Sequence, residues 1–167
     1  MLEIKNFNKI IVANWKLNGS LSFSKEYFNK IKFDNLSDDK NCVIICTPIP
    51  YISSINDKFF FKGAQDCSAY IDGAYTGEIS SDMLRDIGCN FTIIGHSERR
   101  LIFRENEDII AKKISNVLKS NIIPIICIGE NLEQKKEKLT YEILKNQIHK
   151  SLPRNINLNN IIIAYEP

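Results

Sequence analysis

Short, unbroken apolar runs alternate along this chain with longer segments that are apolar on one side only. The runs are Ile10-Ile11-Val12-Ala13, Cys42-Val43-Ile44-Ile45-Cys46, a third introduced by Phe59-Phe60-Phe61, Phe91-Thr92-Ile93-Ile94, Ile125-Ile126-Cys127-Ile128 and Ile161-Ile162-Ile163-Ala164. Runs of this length without polar alternation predict strands covered on both faces. Between them, Phe23, Tyr27 and Ile31 recur at helical spacing, and Tyr51 to Asn56 leaves room for a short helix. Ser80 to Ile87 reads as a helix stopped by Gly88. Ile110, Ile114, Val117 and Leu118 mark one face of a further helix. Asn131-Leu132-Glu133-Gln134 resembles a capping box, and Leu144, Ile148 and Leu152 stripe the helix after it.

The runs begin near residues 10, 42, 59, 91, 123 and 161, mostly one βα unit of about 30 residues apart. This alternation predicts an α/β fold with a parallel sheet, either a (β/α) barrel or a doubly wound sheet. A dinucleotide fold requires G-x-G-x-x-G after its first strand, whereas Ala13-Asn14-Trp15-Lys16-Leu17-Asn18-Gly19 holds a single glycine. We therefore expect a barrel, with residues 1–167 forming one domain and no linker.

In a barrel the working residues lie just beyond the carboxyl ends of the strands. Asn14 and Lys16 close the first run and by strand alternation face one side, with Trp15 turned away. His96 closes the fourth run and Glu166 the sixth. Each alone has an ordinary reading, as a solvated lysine, a hydrogen-bonded core histidine or a loop carboxylate. Together at one rim they constitute a candidate site.

Composition narrows the classes. The 167 residues are 44% hydrophobic and 25% charged, which suits a globular unit with a sizeable core. A formal net charge of +2, from 22 basic and 20 acidic residues, offers no strong field for nucleic acid or anionic membrane. The N-terminal stretch carries Glu3 and lacks a signal-length apolar core, and no segment approaches the roughly 18 apolar residues of a membrane span. A cytoplasmic protein is the expectation. Five cysteines, with Cys42, Cys46 and Cys127 inside apolar runs, argue against a disulfide framework. Neither C-x-x-C nor H-E-x-x-H occurs, and His149, the one other histidine, lies among lysines, so no metal site is expected. The hydrolase elbow G-x-S-x-G is also missing.

Five segments sharpen this picture. They are Ala13-Asn14-Trp15-Lys16-Leu17-Asn18-Gly19, Gly73-Ala74-Tyr75-Thr76-Gly77-Glu78-Ile79-Ser80, Ile94-Gly95-His96-Ser97-Glu98-Arg99-Arg100, Cys127-Ile128-Gly129-Glu130 and Ala164-Tyr165-Glu166-Pro167. In order and spacing they resemble the signature segments of the triosephosphate isomerase family, from residue 9 to the last. The resemblance implies a TIM (β/α)8 barrel of which about the first six strands are present. It implies interconversion of dihydroxyacetone phosphate and glyceraldehyde 3-phosphate through an enediolate, in glycolysis and gluconeogenesis, with no cofactor.

By the same resemblance Glu166 is the catalytic base, and His96 is a neutral electrophile at a helix N-terminus begun by Ser97 and Glu98. Lys16 stabilises the oxyanion and attracts phosphate, and Asn14 holds the substrate. Cys127 is a buried small residue beneath Glu166, and Trp15 and Tyr165 pack beside the site. Glu98 pairs either with Lys16 or with Arg99 or Arg100. The loop from Asp66 to Ile79, with Thr76 at its tip, inserts into a second copy near Asn14 and Lys16 of the partner subunit, making a homodimer.

Barrels of this kind take about 250 residues, and this sequence stops where the family's lid begins. The expectation is that the 167-residue chain is inactive alone. The alternative from another class is a noncatalytic partial barrel that associates with a partner completing its sheet. A different phosphate-binding barrel enzyme fits the Asn14, Lys16, His96 and Glu166 set less well.

Overall fold

A computed structural model describes residues 2–31, 40–55, 58–154 and 158–167. Six strands run parallel in chain order across a single sheet: β1 (Lys9–Asn14), β2 (Asn41–Cys46), β3 (Phe61–Ala64), β4 (Phe91–Ile94), β5 (Ile123–Ile128) and β6 (Ile162–Tyr165). The sheet curls into a half-barrel, so the expected α/β incomplete barrel is the fold observed. The third strand starts at Phe61, and Phe59 ahead of it is exposed. The short helix expected after β2 is a 3-10 segment, Ile49–Ser54; Asn56 lies outside the described residues.

Among the described residues six α-helices connect or follow the strands: α1 (Leu21–Lys30), α2 (Ser81–Asp86), α3 (Ser97–Leu101), α4 (Glu107–Lys119), α5 (Leu132–Lys136) and α6 (Thr140–Ser151). Four of them start at a short polar cap. Ser20, Ser80 and Asn106 each accept from a backbone N–H in the first turn of α1, α2 and α4. Asn131 and Gln134 form the expected reciprocal capping box on α5.

Strand alternation divides the core into two layers. Cys42, Ile44, Cys46, Phe91, Ile93, Ile123, Ile125 and Cys127 line the concave face. Leu2, Ile4 and Phe7 pack against that layer, with the Phe7 ring edge-on to Phe61 at 5.7 Å. On the convex face Ile94, Ile126 and Ile128 meet Ile110, Ile114 and Val117 of α4 and Leu84 of α2.

Tyr27 and Ile31 of the α1 stripe pack against the core as the spacing suggests, and Phe23 does not. Ser24 and Phe28 are buried, while Phe23 remains half exposed. Trp15, turned away from the strand rim as alternation requires, stacks on Phe28 at 5.8 Å and takes Tyr27 edge-on at 5.2 Å. The indole thus becomes the surface on which α1 seats.

Charge also lies inside the outer layer. Lys113 of α4 is 3% exposed, and its Nζ reaches both carboxylate oxygens of Asp66 at 2.8 Å and Glu105 at 2.6 Å. Arg99 of α3 bridges the same acids, to Asp66 at 3.0 Å and to Glu105 Oε1 at 2.8 Å through Nε. Two cations and two anions therefore tie the five-residue α3 to α4 and to the segment just after β3. Deleting one member of a buried charge set leaves the others uncompensated and costs about 3–5 kcal/mol. Lys113→Met is expected to lose stability on that scale, read as a lowered urea midpoint; a loss below about 1 kcal/mol would show that the network is solvated rather than structural.

Candidate functional site

Parallel register brings the strand ends to a common rim. Asn14 pairs with Cys46, Ile94 with Ile126, and Ile128 with Tyr165, so residues one or two positions further on emerge together. These are Lys16, His96 and Glu166.

His96 is 7% exposed and serves as the N-cap of α3. The Glu98 backbone N–H donates to its Nδ1 at 3.2 Å. A nitrogen that accepts this bond carries a lone pair, so the neutral ring holds its proton on Nε2. Nε2 lies 3.2 Å from Glu166 Oε1, and the Ser97 N–H reaches Glu166 Oε2 at 3.4 Å. An imidazole nitrogen thus meets a carboxylate at the mouth of the sheet.

Lys16 completes the group. Its Nζ lies 3.0 Å from Glu98 Oε1, whose other oxygen is 3.6 Å from His96 Nδ1. The hydrogen bond to Glu98 raises the Lys16 pKa above its ordinary value, and the same bond lowers that of Glu98. Of the two readings of Glu98, the ion pair with Lys16 is the one realised. Arg99 and Arg100 turn instead to Asp66, Glu105 and Glu107.

The backbone at Lys16 has φ 52°, a left-handed conformation that costs a non-glycine residue roughly 1–2 kcal/mol. Asn14 and Gln65 hold it there. Asn14 Oδ1 accepts from the Lys16 N–H at 3.0 Å. Gln65 Nε2 approaches Asn14 Oδ1 at 3.1 Å, the Lys16 carbonyl at 2.9 Å and the Cys46 carbonyl at 3.1 Å. Gln65 had no signal of its own in the sequence beyond its position directly after an apolar run.

Glu166 is seated on the end of β5. Its N–H donates to the Ile128 carbonyl at 2.8 Å, and its own carbonyl lies where a Cβ on Gly129 would stand. Gln147 of α6 grips Gly129 from the other side, accepting from its N–H and donating to its carbonyl, both at 2.9 Å. A cleft of about 470 Å³ lies beside this contact, walled by Ser97, Arg100, Cys127, Gly129, Gln147 and Glu166; His96, Lys16 and Asn14 do not line it.

Cys127 belongs to the concave layer at 7% exposure, and burial pushes its thiol up to about 12. That keeps it protonated at neutral pH. All five cysteines are buried and free. Tyr165 corrects an expectation. It does not pack beside the site but stands half exposed on the opposite strand face, where its hydroxyl meets both oxygens of Glu130 at 3.1 Å. Thr76 is exposed in a loop whose base is closed by the Ser68 N–H to the Ile79 carbonyl at 2.8 Å. Tyr70 and Tyr75 stack within it at 3.7 Å.

A parallel half-barrel that gathers a histidine, a carboxylate and a lysine at its carboxyl rim defines an α/β barrel class. Comparison with known proteins gives the family. The model of the family described as Triosephosphate isomerase matches residues 9–167. A triosephosphate isomerase of Herminiimonas arsenicoxydans is 40% identical over 168 residues, covering 95% of this chain and 66% of the relative. That of Buchnera aphidicola subsp. Cinara cedri is 42% identical over 167 residues with the same coverages of 95% and 66%. The crystal structure of triosephosphate isomerase from Bartonella henselae superposes with a TM-score of 0.82 at 34% identity, over 95% of this chain and 66% of that one. The chain belongs to the triosephosphate isomerase family and spans about two thirds of the length of these relatives.

The Gly129 contact is directly testable. Gly129→Ala forces the Glu166 carbonyl away and is expected to cost about 1–3 kcal/mol in urea unfolding, the usual scale of overpacking. Unchanged stability would mean that the Glu166 backbone is free to move.

Proposed function

We propose that this chain carries the proton-transfer site of a triose-phosphate isomerase, interconverting dihydroxyacetone phosphate and D-glyceraldehyde 3-phosphate in glycolysis and gluconeogenesis. The observation that carries this reading is the His96 Nε2 to Glu166 Oε1 approach of 3.2 Å beside the Lys16–Glu98 ion pair, in a chain of this family. A substrate enters between His96 and Glu166 and replaces their mutual contact. The Glu166 carboxylate takes a proton from the carbon α to the carbonyl and returns it to the neighbouring carbon. The His96 Nε2 proton is donated to the carbonyl oxygen, giving the enediol, and is recovered from the adjacent hydroxyl.

Lys16 supplies the fixed positive charge for the developing oxyanion and for the phosphate dianion. The Asn14 amide, close to the Lys16 backbone, orients the substrate. Glu98 holds the Lys16 ammonium in place, and Cys127 fills the space under Glu166. None of these steps calls for a cofactor. We place the reaction in the cytoplasm; no helix among the described residues is long and apolar enough to cross a membrane.

The enzyme we propose is a homodimer. Tyr70, Ile71 and Tyr75 in the long loop, Leu101 at the end of α3, and Ile102 and Phe103 after it are exposed apolar side chains that a second copy would cover. Thr76 at the loop tip then reaches the rim near Asn14 and Lys16 of the partner subunit. Light scattering is expected to give twice the chain mass at micromolar concentration, and Thr76→Arg is expected to shift it to the monomer; a wild-type monomer would remove the dimer.

A second reading is favoured by the sheet edges. Ile11 and Val12 of β1 and Ile163 of β6 are exposed on strands that each pair on one side among the described residues. On that reading the chain is a noncatalytic partial barrel that a partner completes. Incorporation of solvent deuterium into dihydroxyacetone phosphate separates the two, because exchange reports proton abstraction even where turnover is slow. With net turnover by this chain alone still expected to be absent, exchange above the buffer rate, reduced about 10²- to 10⁴-fold by Glu166→Gln, is the expected result of a formed proton-transfer site. A folded chain without exchange supports the partial barrel, and an undiminished Glu166→Gln rate removes Glu166 as the base.

A further inference from the structure

We infer that Arg100 is a positioning residue for the His96–Glu166 pair, acting as a side-chain rung that links β4 to β5 where their backbone register ends. The last register pair between these strands is Ile94 with Ile126, which makes Gly95 and Cys127 the next. At that next rung the Arg100 guanidinium bridges the two strand ends. Its Nε donates to the Gly95 carbonyl at 2.7 Å and its Nη2 to the Cys127 carbonyl at 3.2 Å. Its Nη1 is fixed by Glu107 Oε1 at 2.8 Å, in the first turn of α4. The side chain is 13% exposed.

The position is arranged to admit this group. Gly95 has φ +70°, and a Cβ there would stand 3.1 Å from Arg100 Nη2 and 3.1 Å from Ile110 Cδ1. Both consequences fall on the candidate site. Gly95 directly precedes His96, and Cys127 pairs in register with Ala164, two residues before Glu166. The guanidinium therefore sets the separation of the strand ends that carry the two groups. A lysine keeps the charge opposite Glu107 but lacks the planar fork needed to reach two carbonyls and a carboxylate at once.

The catalytic meaning of this rung rests on the isomerase reading, but its effect on His96 does not. The test is imidazole ¹⁵N–¹H NMR of the folded 167-residue chain, wild type and Arg100→Lys, with His149 as an internal control. Wild type is expected to show one His96 tautomer with Nδ1 unprotonated. Arg100→Lys is expected to shift and broaden the His96 signals while leaving those of His149 unchanged. In Arg100→Ala, added guanidinium ion is expected to restore the His96 spectrum. Where exchange activity is measurable, kcat is expected to fall about 10- to 100-fold with KM within about twofold. Unchanged His96 signals in Arg100→Lys, or equal disturbance of both histidines, would overturn the proposal. Absence of exchange activity in wild type would overturn the isomerase reading alone, since the His96 spectrum is read without turnover.

Discussion

Every distance in the candidate site descends from the in-register parallel pairing of the strands, and that pairing descends from their apolar composition. Because β2, β4 and β5 are buried on both faces, alternate residues must satisfy two different layers at once. A slip of one residue would exchange the concave and convex sets, placing Phe91 among the helices and Ile94 on the inner face. The cost of such a slip fixes the strands along their length. Lys16, His96 and Glu166, far apart in sequence, consequently leave the sheet at one level.

Past the last ladder bonds the apolar layers no longer control geometry, and polar groups take over. Gln65 holds the turn after β1, Arg100 spans β4 and β5, and Gln147 grips the residue after β5. The common tactic is a planar, multidentate side chain bonded to backbone atoms. Such a group fixes direction as well as distance. The helix α3, at five residues, is too short to be stable by itself and is held by charges on two sides. Glu98 looks to the rim and Arg99 to the buried set around Lys113.

What could be read from the sequence follows the same division. The six strands were legible because a doubly buried strand is written as a continuous apolar run, and the rim residues because each such run ends abruptly in polarity. The ion pair of Glu98 remained open between Lys16 and the neighbouring arginines, since sequence proximity favoured the latter and the fold the former. Tyr27 and Ile31 of the α1 stripe do pack on the core, whereas Phe23 stays half exposed because the seat of that helix is an aromatic ring from β1's exit turn rather than the sheet alone. Gln65, Gln147 and Lys113 were not legible. Each has an ordinary polar identity, and its purpose depends on backbone or carboxylate partners brought close by folding.

The left-handed turn at Lys16 has a consequence for how this protein can be improved or can drift. A glycine there would relax the backbone and raise stability, yet it would delete the ammonium that pairs with Glu98 at the rim. Stability and charge placement therefore pull in opposite directions at a single codon. Substitutions selected for heat resistance alone would tend to erode this position first, whereas selection on the site would retain a locally unfavourable backbone.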